Sequence, residues 1–161
     1  MGLDLRQLDR FDLAILRLLQ QDNQRSHAQI GEQVGLSGSA VRRRVQQLKQ
    51  QGWIRAEVAL LPPDLAGVTL LVTVRFGEES PSIYAEFERQ MRALAPVKQC
   101  YHTAGDGDYV LVVQLPNLGD YERWSIEQLM ANPAIRRYDT VVVWSCKKFE
   151  TSVDLDGLAA S

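Results

Sequence analysis

Residues 26–52, SHAQIGEQVGLSGSAVRRRVQQLKQQG, constrain this chain more than any other stretch. Ser26 suits a helix N-cap, and Gln29 three positions later completes a capping-box pattern. Ile30 and Val34 share one face of the helix that follows. Gly35 ends it, because glycine enters the left-handed conformation without a Cβ penalty. Leu36 fills the turn, Ser37 caps the next helix, and Gly52 stops that helix after about Gln51. At about 100° per residue, Val41, Val45 and Leu48 form its core face. Ser39, Arg43, Gln46, Gln47 and Gln50 lie opposite, Arg42 on a flank and Arg44 near the core edge. Two short helices joined by a tight turn, the second carrying three successive arginines, can place a helix in the DNA major groove.

Around this pair the chain divides in two. Leu8, Phe11, Leu13, Ile15, Leu16 and Leu19 recur at helical spacing and predict a first helix over about 9–20. Residues 53–61, WIRAEVALL, are rich in β formers and predict a strand or wing. Pro62, Pro63 and Gly67 then break regular structure, which makes 61–67 a linker between a helix-turn-helix domain over 1–60 and a second domain over 68–161. In the second domain the period changes. Strands are expected at 68–76, 97–103, 109–115 and 135–149, and helices at 81–95 and 118–131. The order β-α-β-β-α-β is that of a ferredoxin-like α+β sandwich. Two helices cover one sheet face. Leu71, Val110, Val112 and Val142 are expected on the uncovered face, and an apolar uncovered sheet implies a homodimer.

Charge follows the same division. Of 18 Lys/Arg and 20 Asp/Glu, residues 1–60 hold nine and six, and the remainder nine and fourteen. A basic first part beside an acidic second part implies different partners for the two. No run of about 18 apolar residues is present, and the N-terminus lacks an apolar signal core, so neither membrane insertion nor export is expected. Cys100 and Cys146 fit free thiols in a reducing cytoplasm.

On the DNA side, the small residues Gly38, Ser39 and Ala40 let the helix start approach a duplex closely. Arg43 is placed to read guanine, Arg42 to hold phosphate, and Gln46 or Gln47 to read adenine directly or through water. Arg44 suits an intramolecular ion pair or a phosphate. The bland account of the same residues is a solvated helix face. In the second domain, Gly105-Asp106-Gly107-Asp108 reads first as a hairpin turn. Cys100-x-His102 places both side chains on one strand face, but no further ligands stand near, so packing accounts for them better than a metal does. Asp106 and Asp108 lack acid–base partners, and Gly105-x-Gly107 lacks the glycine and lysine of a phosphate loop. No cofactor is implied.

Leu8-Asp9-(x)2-Asp12-(x)2-Ile15-Leu16-(x)2-Leu19-Gln20, then Val34-Gly35-Leu36-Ser37 and Arg44-Val45-(x)2-Leu48-(x)3-Gly52-Trp53-Ile54, resemble the leucine-responsive/asparagine (Lrp/AsnC) regulator family. The likeness continues through Cys100-Tyr101-His102-Thr103-Ala104-Gly105-Asp106-Gly107-Asp108-Tyr109 and covers about residues 5–155. The resemblance implies a transcription regulator, not an enzyme, that binds double-stranded DNA. It implies a homodimer that assembles into octamers and binds a small effector, commonly an amino acid, near Thr103, Gly105, Asp106, Gly107 and Asp108. Backbone N–H groups in a nest suit a carboxylate, and an aspartate suits an α-ammonium. The chain departs from the family pattern in two places. Gly38 and Ser39 stand where proline and threonine are frequent, and Gly107 stands where a larger residue is usual. Gly38 is expected to soften the helix start, and Gly107 to open space for a different or bulkier effector. Two other classes share features of this layout: enzymes of the sirohaem decarboxylase kind, and DNA-organising proteins without an effector.

Overall fold

The computed structural model describes residues 4–155, which form two compact units: residues 4–60 together with 150–155, and Leu61–Phe149.

The first unit is helical. Helix α1, Arg10–Gln21, starts at Asp9, whose side chain accepts from Phe11 N and Asp12 N while the Asp12 carboxylate accepts from Asp9 N. Helix α2, His27–Val34, has the expected Ser26/Gln29 capping box, and Gly35 adopts φ 74°. Helix α3, Gly38–Gln50, starts from Ser37, whose Oγ accepts from Ala40 N. Ile15, Leu16, Ile30, Val41, Val45 and Leu48 are buried together, each contributing about 1.5–3 kcal/mol by leaving water. Gly38 has a packing role. A Cβ there would stand 3.3 Å from Ala28 N, so its lack of a side chain lets α3 start close against α2.

Two features of this unit depart from the sequence expectations. Residues 54–61 form no strand. Trp53 and Ile54 pack on the helical core instead, while Val58 and Leu60 are exposed. Their β propensity has no ladder to join, because the unit's described residues hold no other strand. The helix-turn-helix is therefore wingless here. The second departure concerns residues 150–155, which fold with α1 instead of the sheet. Gln20 clasps the backbone of Val153, donating from Nε2 to its carbonyl at 3.2 Å and accepting from its N–H at 2.6 Å. Leu155 enters the helical core.

The second unit is a four-stranded antiparallel sheet, β1 Val68–Phe76, β2 Val97–His102, β3 Tyr109–Leu115 and β4 Ile135–Val143, in the order β2-β3-β1-β4. Helix α4, Pro81–Ala93, and helix α5, Leu118–Ser125, cover one face. A π turn, Ile126–Met130, prolongs α5. Leu70, Val72, Val74, Phe76, Tyr109, Leu111 and Val113 point inward against Phe87, Met91, Trp124 and Leu129. Strand β4 stops at Val143, short of the expected 149. Val143 pairs with Thr69, at the start of its neighbour β1, so the ladder runs out of partners.

The other sheet face is open. Leu71 pairs with Val112 and Val141, and directly paired residues share a face. Leu71, Val110, Val112 and Val141 therefore stand together on the open side. Val142 was expected there, but it pairs with Leu70 and belongs to the helix-covered side. A one-residue step in a strand reverses the face.

A candidate DNA-binding surface and a candidate effector turn

Helix α3 presents its polar face as its periodicity predicts. Val41, Val45 and Leu48 point inward, while Ser39, Arg42, Arg43, Gln46 and Gln47 are exposed. Among the described residues, no hydrogen bond or ion pair engages the side chains of Arg42, Arg43, Gln46 or Gln47. Ser37 and Ser39 share a hydroxyl bond at 3.1 Å at the helix start. Arg44 differs from its neighbours. Its Nη1 lies 2.8 Å from Asp12 Oδ1 and 2.8 Å from Asp9 Oδ2, and its guanidinium stands 5.4 Å from the centre of the Phe11 ring. The bond to Asp12, with that to Asp9 added, pushes the Arg44 pKa up. For Asp9, burial favours the neutral acid. The backbone N–H of Asp12, the Arg44 side chain and the N–H of Phe11 outweigh it, so the carboxyl lies below its ordinary range. Arg44 is thus a brace between α3 and α1 through Nη1.

The turn between β2 and β3 is organised differently. Thr103 donates from Oγ1 to Gly107 O at 2.6 Å, and Thr103 N donates to Asp108 O at 2.9 Å. Asp108 N donates to Val74 O, tying the turn to β1. The Asp108 carboxylate points into the protein, where Oδ2 accepts from Phe76 N at 2.7 Å and Oδ1 from the Tyr84 hydroxyl at 2.8 Å. That bond, with burial and the charges of Asp108 and Glu79 added, pushes the Tyr84 phenol up to about 12. Tyr84 and His102 both pack on Tyr109, and the Tyr109 hydroxyl donates to Glu88 Oε1 at 2.7 Å. Asp106 alone sends its side chain fully into solvent. Gly105 has φ 133°, a conformation open to glycine. The backbone N–H groups of Gly105, Asp106 and Gly107 donate to nothing among the described residues.

The site therefore revises two expectations, for Asp108 and for Gly107. Asp108 has both carboxylate oxygens hydrogen-bonded within the chain, whereas Asp106 is fully exposed and has only a long ion-pair approach of 3.8 Å from Arg75. Gly107 opens no space, since a Cβ there would overlap Thr73 Cγ2. Cys100 and His102 share a strand face, and the His102 ring packs on Tyr84 and Tyr109; no group of three metal-ligating side chains occurs among the described residues. The sequence did not single out Tyr84 as the partner of Asp108. Its only signal was an aromatic residue in the first turn of α4. A groove of about 570 Å³ between α4 and the π turn, lined by Ile83, Glu86, Phe87, Gln90, Glu127 and Asn132 among others, includes none of residues 103–108.

Both halves match known families. Residues 8–49 match the AsnC-type helix-turn-helix domain, and residues 69–153 the Lrp/AsnC ligand-binding domain. An HTH-type transcriptional regulator of Sinorhizobium fredii is 30% identical over 152 residues, 93% of this chain and 90% of that protein. The leucine-responsive regulatory protein of Escherichia coli K12 is 33% identical over 138 residues, 84% of each. Among solved structures, an AsnC family transcriptional regulator from Agrobacterium tumefaciens superposes with a TM-score of 0.83 at 31% identity, over 94% of this chain and 99% of that one. A transcriptional regulator of Neisseria meningitidis, solved as a complex with L-Met, gives 0.83 at 25% identity over the same shares. The chain belongs to the Lrp/AsnC family of transcriptional regulators, with an AsnC-type helix-turn-helix domain followed by a Lrp/AsnC ligand-binding domain.

Proposed function

We propose that this regulator reads double-stranded DNA with the outer face of α3 and answers to an amino acid held at the 103–108 turn. Two sets of polar groups without a partner among the described residues carry the reading: the side chains of Arg42, Arg43, Gln46 and Gln47, and the turn amides. Arg43 contacts bases, Arg42 and the Ser37–Ser39 helix start contact phosphate, and Gln46 and Gln47 read base edges. At the turn, the amides of Gly105, Asp106 and Gly107 suit a carboxylate, and Asp106 suits the α-ammonium. Thr103, Gly107 and Asp108 shape the turn. The L-Met complex of the Neisseria relative and the leucine-responsive relatives support the effector class. The open sheet face, with Leu71, Val110, Val112 and Val141, pairs two copies, and dimers assemble further toward the octamer. Regulation of DNA places the protein in the cytoplasm. Among the described residues, no helix is long and apolar enough to cross a membrane.

A thermal-shift screen of the full chain against the twenty amino acids tests the effector. At least one amino acid is expected to raise the melting temperature, and Asp106→Ala to abolish that rise without dissociating the dimer. An unchanged response in Asp106→Ala places the effector elsewhere. No response to any amino acid favours an effector-independent DNA-organising protein, for which the internal engagement of Thr103 and Asp108 is already sufficient.

A further inference from the structure

The uncovered face of the sheet carries one cation whose neighbours leave it incompletely paired. Arg75, near the end of β1, lies on the same face as Leu71 and Thr73, directly across from Arg137 on β4. The two guanidiniums are treated differently. Arg137 donates to Asp139 Oδ1 from Nε at 3.1 Å and from Nη2 at 2.7 Å. Arg75 Nη2 approaches Asp106 Oδ2 only to 3.8 Å, beyond hydrogen-bond range, and that carboxylate is fully exposed. Arg75 Nε is shut away from solvent and has no hydrogen-bond partner. The side chain as a whole is 35% exposed, so it has lost much of its hydration without gaining a bonded anion.

Its position gives this meaning. Asp106, which Arg75 reaches toward, belongs to the turn whose three amides are unengaged. Gly107 has no side chain, and its Cα lies against Thr73, the residue two before Arg75 on the same face. A guanidinium fork matches a carboxylate bidentately, and such charge-assisted bonds are the strong ones.

We propose that Arg75 is the carboxylate anchor of the effector site, acting with the amides of Gly105, Asp106 and Gly107. The inference rests on the effector reading above. The anchored carboxylate is either the α-carboxylate of any amino acid or the side-chain carboxylate of an acidic one. In the bound state it replaces Asp106 as the partner of Arg75 and frees Asp106 for the ammonium.

The test is isothermal titration of the full chain, as wild type, Arg75→Gln and Arg75→Lys, with the twenty amino acids and with the α-carboxamides of those that bind. Arg75→Gln is expected to weaken binding about tenfold or more, with Arg75→Lys partly restoring it. The melting temperature of the free protein and its oligomeric state on elution are expected to match those of wild type. Loss of binding by the α-carboxamides identifies the α-carboxylate as the anchored group. Retained binding by the carboxamides of aspartate and glutamate alone identifies the side-chain carboxylate. Arg75→Gln binding as tightly as wild type overturns the proposal while leaving the effector reading intact. So does an Arg75→Gln protein that changes only its oligomeric state, which assigns Arg75 to the contact between copies. Wild type that binds none of the twenty overturns the effector reading, and this anchor with it. Carboxamides that bind wild type as tightly as the parent amino acids, acidic and neutral alike, overturn the anchor even if Arg75→Gln does not fold.

Discussion

The outer face of α3 and the 103–108 turn both stand out in the sequence as clusters of polar side chains, but the structure uses them in opposite ways. On α3 the outward side chains of Arg42, Arg43, Gln46 and Gln47 have no partner among the described residues, and one inward arginine, Arg44, is tied to Asp9 and Asp12. In the turn, the side chains of Thr103 and Asp108 are bonded inward, and what remains free is mostly backbone. The difference follows from the backbone. A helix satisfies its own N–H and C=O groups, so side chains on its solvent face can serve a partner. A tight irregular turn cannot satisfy itself that way and recruits its polar side chains as braces. On the proposed reading, DNA is thus met by helix side chains, and an effector by the turn's main-chain amides together with the few side chains that the turn leaves outward.

The largest effect expected from this contrast separates the two aspartates of the turn. Asp108→Ala leaves Phe76 N and the Tyr84 hydroxyl without their charged acceptor. It should destabilise the sheet unit by about 3 kcal/mol, since bonds to charged groups are worth about 1.5–3 kcal/mol each and the stranded donors are partly buried. Asp106→Ala should change stability by no more than about 0.5 kcal/mol, as for other exposed positions. Urea denaturation of the two variants measures both. Equal effects would erase the distinction between brace and reagent.

On the helix the contrast is between adjacent arginines. Arg43→Ala should weaken sequence-specific binding by about 1–3 kcal/mol and relax selectivity, whereas Arg42→Ala should weaken all sequences alike and lower the salt slope by about one. Fluorescence anisotropy against an operator and a scrambled duplex, at two salt concentrations, separates the two. Loss of selectivity in Arg42→Ala, or none in Arg43→Ala, would reverse their roles.

The helical half was the more legible in the sequence, because its signals are local. Ser26, Gln29, Gly35 and Ser37 act on their own turns, and the Val41–Val45–Leu48 stripe needs only the helical period. The strands were legible as elements but not in their faces or lengths. Val142 lies on the covered side because of its register with Leu70, and β4 ends where β1 runs out, both facts of pairing between distant segments. The missing wing has the same origin, since a β-rich segment without a partner strand stays irregular. At the site, the sequence placed the turn but not its wiring. Asp108 finds Tyr84 24 positions away and Phe76 32 positions away, and Arg75 approaches Asp106 from the neighbouring strand β1. No spacing within the motif reports such contacts.

The smallest expected effect is in pH, and it again sets the two units apart. The hydrogen bond to Asp108, with burial and the charges of Asp108 and Glu79, holds the Tyr84 phenol protonated and raises its pKa from the usual 10 to about 12. A group whose folded pKa is raised contributes stability that is complete below the unfolded value and is lost as pH rises through the folded one. The sheet unit should therefore lose stability between about pH 10 and 12. Tyr109, raised by burial and by its bond to Glu88, extends the loss in the same direction. In the helical unit the sign is reversed. Asp9 is lowered, so its contribution is present above the ordinary carboxylate pKa of about 4 and is lost as pH falls through the folded value. Tyr84→Phe should flatten the alkaline limb of a stability–pH profile and leave the acid limb unchanged. Asp9→Asn should do the converse, because the two groups brace different units. Urea midpoints measured from about pH 3 to 12 give both limbs. If either substitution flattens both limbs, the braces do not belong to separate units, and the contrast between the helix and the turn loses its electrostatic basis.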